Sequence, residues 1–133
     1  MKTVIILRAT SNSGKTTFAE YLFSLTPDAF ICCADDYFIK HGLDFDFRHL
    51  DDAHQFCKNE FDSAIEQGKS PIIVANTNTR ESEFAYYKDL AEANDYRVFY
   101  LVIEKRHNNV NNNNVPQETI DKQAARIRNS LKV

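Results

Sequence analysis

Val4-Ile5-Ile6-Leu7-Arg8-Ala9-Thr10-Ser11-Asn12-Ser13-Gly14-Lys15-Thr16-Thr17 is the stretch that decides the fold. A run rich in β-branched residues enters a loop of small residues, reaches Gly14-Lys15-Thr16 and continues as Phe18-Ala19-Glu20-Tyr21-Leu22, which suits a helix. This is the strand, loop and helix of the phosphate-binding pattern GxxxxGK[ST]. There, loop N–H groups surround a β-phosphate, the lysine neutralises β/γ charge and the hydroxyl binds Mg²⁺. Lys15 and Thr16 fill the last two roles, and Ser11, Asn12, Ser13, Gly14, Lys15, Thr16 and Thr17 form the nucleotide-binding loop.

One position departs from the pattern: Ala9 stands where the first glycine belongs, and its methyl group is expected to crowd the end of the strand. Asn12 lies two residues before Gly14, where a left-handed backbone is common in such loops. Asparagine tolerates that region better than any residue except glycine, so a positive φ is predicted at Asn12.

With 133 residues the chain is expected to form one domain over 1–133, large enough for a three-layer core. No apolar run approaches the length that spans a bilayer, and nothing after Met1-Lys2 reads as a signal peptide, so a cytosolic protein is the expectation. Cys32, Cys33 and Cys57 form neither a CxxC pair nor a metal-ligand spacing with the four histidines, and read as reduced core thiols.

The net charge of −3 hides an asymmetry. Residues 1–104 carry 10 basic and 17 acidic side chains, whereas residues 105–133 carry 6 basic and 2 acidic. An anionic ligand is drawn to the C-terminal segment, although a solvated basic helix face accounts for the charge equally well.

Further along, Ala29-Phe30-Ile31-Cys32-Cys33-Ala34 reads as a buried strand that delivers Asp35-Asp36-Tyr37 to the carboxyl end of a sheet, where open α/β sheets place their ligands. Residues 40–48 read as a loop with aromatic anchors. A helix is predicted from His49 to Gln67, with Ala53, Phe56, Cys57, Phe61 and Ala64 inward and Gly68 as its stop. His54 on that helix is expected to pack or cap. Ile72-Ile73-Val74-Ala75 is a third strand, followed by the polar tip Asn76-Thr77-Asn78-Thr79, and Arg80 to Asn94 is a helix with Phe84, Tyr87, Leu90 and Ala91 inward. Arg97 to Ile103 is a fourth strand. Strands alternating with helices predict an α/β three-layer fold around a parallel sheet of four or five strands with right-handed crossovers.

Residues 107–114 are almost entirely polar and rich in asparagine. They read either as part of a mobile lid around 105–116 or as compositional bias without a role. Val115-Pro116 then opens a last helix that carries Arg126, Arg128 and Lys132 in its C-terminal half.

Phosphoryl transfer needs a phosphate cradle, a metal ion, a group that orients or deprotonates the acceptor, and positive charge over the migrating group. The loop, Lys15 and Thr16 answer the first two. Asp35 is read as the base, being the first residue past the strand and expected to point toward the loop, with Asp36 capping or holding metal-bound water. The alternative is that both acids merely cap a turn. Positive charge comes from Arg106 where strand four ends, with Arg126 or Arg128 adding to it. After strand three, Ala75 and Asn76 supply no carboxylate for Mg²⁺.

Taken together, Ser13-Gly14-Lys15-Thr16-Thr17, Asp35-Asp36-Tyr37, Ala53-His54, Asn76-Thr77-Asn78-Thr79 and Val115-Pro116-Gln117-Glu118-Thr119-Ile120 resemble the bacteriophage-type polynucleotide 5′-hydroxyl kinases. They also resemble related phage and zeta-toxin-like ATP-binding proteins. The resemblance implies that Lys15 and Thr16 bind ATP·Mg²⁺, that Asp35 activates a 5′-hydroxyl of RNA or DNA, and that Arg106 is a lid arginine at the migrating phosphoryl group. Three departures stand out: Ala9 in the loop, Phe38 where the phage kinase carries an acceptor-contacting arginine, and asparagines where a second lid arginine belongs. They keep open a small-molecule or protein kinase, and a nucleotide-binding module without turnover. The asparagine bias also suits an AT-rich, viral genome.

Overall fold

The computed structural model describes residues 1–11, 13–104 and 115–131. The element order is β1 (Thr3–Ala9), α1 (Lys15–Leu25), β2 (Phe30–Cys32), α2 (Asp36–Lys40), α3 (Leu50–Glu66), β3 (Ile72–Val74), α4 (Glu81–Ala93), β4 (Arg97–Ile103) and α5 (Gln117–Ser130). All pairings are parallel, and the four strands lie in the order β2-β3-β1-β4.

Alternation along the strands divides the core into two layers. Val4, Ile6, Ile72 and Val74 face Phe61 of α3 and Phe84 and Tyr87 of α4, while Leu7 and Ile73 face Ala19 of α1. The Phe61 and Tyr87 rings meet edge-on, 5.0 Å apart, at the centre of the first layer. Strands buried on both faces read as continuous apolar runs, which is why β1 and β3 were legible from composition. β4 is the exception. It occupies an edge, and Phe99 to Val102 remain substantially exposed.

Helix α3 closes as expected, with Gly68 just beyond it at φ +69°. Helix α4 starts at a capping acid: Glu83 Oε2 accepts from the Thr79 N–H (2.5 Å), the Thr79 hydroxyl (2.6 Å) and the Arg80 N–H (3.2 Å).

Three sequence expectations require correction. The second strand is shorter than predicted, ending at Cys32, because Asp36, Tyr37 and Phe38 donate back to Cys33, Ala34 and Asp35 and turn the chain into α2. The segment read as a loop over 40–48 begins with the end of α2 and finishes in a 3₁₀ turn, Phe47–His49, capped by Asp46. His54, expected to pack or cap, is exposed on the outer face of α3. Ala9, by contrast, is accommodated as the last, fully buried residue of β1, paired with Ile103 and donating its N–H to the Thr77 carbonyl at 2.9 Å.

Candidate phosphate-loop site

In this strand order the chain leaves β1 toward β2 on one side, whereas it leaves β3 toward β4 on the other. The crevice for a ligand therefore lies beyond the carboxyl ends of β1 and β3. The segments carrying Ser11, Ser13–Thr17, Asp35 and Asn76–Thr79 all emerge there.

Gly14 sits at the start of α1 with φ 91° and ψ 13°, a conformation that costs a residue with a Cβ and costs glycine almost nothing. It offers no side chain to cap the helix, and the first turn of α1 holds no acid. No side chain at the N-cap takes up the N–H groups at that end, which suits them to an external acceptor. Lys15 is only 8% exposed, and the Ser13 hydroxyl, two residues before it, is buried and has no hydrogen-bond partner among the described residues. A buried lysine at a helix start that has no side-chain cap, two residues after a buried hydroxyl with no partner among the described residues, is an environment that an anion completes. The residues present therefore fit a phosphate group. Thr16 and Thr17 are exposed on the first turn of α1.

Asp35 occupies the N-cap position of α2, three residues beyond β2 rather than directly after it, and is exposed. Its side chain makes no capping hydrogen bond, so the turn-capping alternative does not describe it. The half-buried thiol of Cys33 lies two residues before it. Burial and then the Asp35 carboxylate push this thiol up to about 12, the Asp35 N–H and the Lys15 ammonium pulling the other way. Asp36 is raised above the usual carboxylate range, first by burial and then by Asp35 and Glu60, against the pull of Lys40.

Other expected groups are distributed differently. Arg126 is exposed on α5, and Arg128 is exposed in its last turn. Asn12 and Arg106 lie outside the described residues, as does the expected lid over 105–114. Among the described residues no group of three His, Cys, Asp or Glu side chains gathers to hold a metal ion. A metal bound here would depend on Thr16 and on oxygens of the ligand.

Arg8 and Gln123, which sequence reasoning passed over, and Asn78, read there only as part of the polar tip, organise this end of the sheet. Arg8 is buried, donates to the carbonyls of Asn78 (2.8 Å) and Thr79 (3.0 Å) and to the Ser130 hydroxyl (2.8 Å), and lies over the Phe84 ring. Asn78 is the described asparagine with positive φ, 48°, and its amide donates to the Leu7 carbonyl at 2.7 Å. Gln123 of α5 reaches the main chain of the loop at Ser11. A lone arginine within an apolar strand was the signal available for Arg8, and the polar tip after strand three was the signal for Asn78.

No protein-family model matches the chain. It is similar to human NEDD4-binding protein 2, 35% identical over 98 residues, which are 73% of this chain and 6% of that protein. Among solved structures it superposes on a chain of the Pnkp1/Rnl/Hen1 RNA repair complex with TM-score 0.69, at 16% identity, over 97% of this chain and 45% of that one. It also superposes on the Mycobacterium tuberculosis APS kinase CysC with TM-score 0.58, at 15% identity, over 99% of this chain and 98% of that one. The chain has the P-loop kinase fold. Another structure of CysC, which this chain matches with TM-score 0.53 at 12% identity over 99% of its length and 76% of the other, holds AMPPNP and APS. No described helix of this P-loop kinase fold is long and apolar enough to cross a membrane.

Proposed function

We propose that the protein is an ATP-dependent kinase that transfers a phosphoryl group to a hydroxyl acceptor, with the 5′-hydroxyl end of RNA or DNA as the favoured substrate class. One observation carries the reading: Lys15 is buried at the start of α1, directly after left-handed Gly14 and two residues after a buried Ser13 hydroxyl that has no partner among the described residues.

In this reading the loop from Ser11 to Thr17 and Lys15 hold the triphosphate, and Thr16 holds Mg²⁺, which supplies charge neutralisation when bound with ATP. Asp35 accepts the proton of the acceptor hydroxyl. The acceptor oxygen bonds to the γ-phosphorus as the bond to the β,γ-bridging oxygen breaks, and ADP leaves. Arg106 and Arg126 contribute positive charge near the migrating group. The nucleic-acid acceptor is supported by the likeness to a chain of an RNA repair complex and by the motifs shared with polynucleotide kinases.

A small-molecule acceptor is the second reading, favoured by Phe38. This side chain is buried against Phe45, with no cation at that position. Incubation with γ-labelled ATP, 5′-OH oligonucleotides and small hydroxyl compounds separates the two. Labelled oligonucleotide ends that disappear in Lys15→Met and Asp35→Asn support the first, label confined to small compounds supports the second, and ATP binding without transfer to either class overturns both.

A further inference from the structure

We propose that Asn76 is the positioning residue for Asp35, acting through the main chain of Ala34. This rests on the reading of Asp35 as the base.

The β2–β3 ladder ends with Cys32 opposite Val74 and a last bond from the Ala75 N–H to the Cys32 carbonyl at 2.9 Å. Beyond it the two chains separate, β2 turning into α2 and β3 running into the polar tip. A side chain then takes over from the ladder. Asn76 Oδ1 accepts from the Ala34 N–H at 2.8 Å, one residue before Asp35.

The amide is held from its other end. Asn76 Nδ2 donates to Cys57 Sγ on α3 at 3.4 Å, and Cys57 packs in the same core cluster as Tyr87 of α4. Helix α3 therefore supports the amide, and the amide supports the turn that carries Asp35. An aliphatic residue at 76 would leave the Ala34 N–H without its partner. A carboxylate would keep the acceptor for Ala34 and lose the donor to Cys57. Asp35 itself is exposed, with no capping bond of its own, so its placement depends on how firmly Ala34 is held. Misplacing a catalytic group by about 1 Å can cost about 100-fold in rate.

The test is a double-mutant cycle on turnover of labelled ATP with the acceptor found active. Asn76→Ala is expected to lower kcat about 10- to 100-fold with the KM for ATP unchanged, and to cause no further loss in the Asp35→Asn background. Asn76→Asp, which retains the acceptor for Ala34, is expected to recover most of the kcat and serves where the alanine variant folds poorly. Hydrogen exchange at the Ala34 amide is expected to accelerate in Asn76→Ala and not in Asn76→Asp. Wild-type kcat in Asn76→Ala, or an equal proportional loss with and without Asp35, would overturn the inference and leave the kinase reading intact. Full turnover in Asp35→Asn would remove the base assignment itself, and this inference with it.

Discussion

The side chain of Gln123, on α5, accepts a hydrogen bond of 2.8 Å from the main-chain N–H of Ser11 in the phosphate loop. A second tie joins the same helix to the strand that feeds the loop, from Arg8 to the Ser130 hydroxyl. The C-terminal basic helix is thus fastened to the loop by side chains. Gln123→Ala leaves the Ser11 N–H without its partner, a loss of about 1 kcal/mol, or about fivefold in local opening. Amide exchange at Ser11 is expected to rise by about that factor, with the core amides of β1 unchanged. An unaltered Ser11 rate would show that the contact does not hold the loop.

Arg8 ties three segments together through neutral acceptors, and burial holds its guanidinium below the usual arginine range against the opposing effect of Glu83. Replacing it with methionine keeps much of the volume and strands two carbonyls, those of Asn78 and Thr79. A loss of about 2–4 kcal/mol in urea unfolding is expected. Arg8→Lys restores one donor of the fork and is expected to recover only part of it. A methionine variant as stable as the parent would mean that the tip of β3 holds its shape without the arginine.

Cys33 provides a pH-dependent reporter of the site. Its thiol, pushed up to about 12 by burial and the Asp35 carboxylate, is almost wholly protonated near neutrality, and the thiolate is the species that alkylates. Its labelling rate should therefore rise about tenfold per pH unit and still be climbing near pH 10, where an ordinary cysteine has levelled off above about pH 8.5. Cys32 and Cys57, both buried, should label more slowly still. Mass spectrometry of iodoacetamide adducts checks both statements, and a Cys33 plateau near pH 8.5 would refute the first.

Stability should respond sharply at the centre of the first core layer. Phe61 is fully buried against Tyr87, and Phe61→Ala is expected to cost about 3–5 kcal/mol. Glu83→Ala removes three hydrogen bonds at the start of α4 without opening the core, and about 1–2 kcal/mol is expected. Chemical denaturation compares the two, and the reverse ranking would show that the cap matters more than the packing.

What the sequence determined by itself was whatever depends on neighbours along the chain. The apolar runs of β1 and β3, the helical spacing of α3 and α4, the glycines after the loop and after α3, and the Gly14-Lys15-Thr16 signature follow from local periodicity and backbone preference, and each was legible before any coordinates. The strand order, the turn that sets Asp35 three residues past β2, and the joining of Arg8 to Asn78, of Gln123 to Ser11 and of Asn76 to Ala34 were decided only by the tertiary structure. Those partners lie 42 to 112 residues apart in the chain. They meet because parallel strands need crossovers that bring distant segments to one end of the sheet, and there the groups left beyond the ladder must find hydrogen bonds wherever the packing offers them.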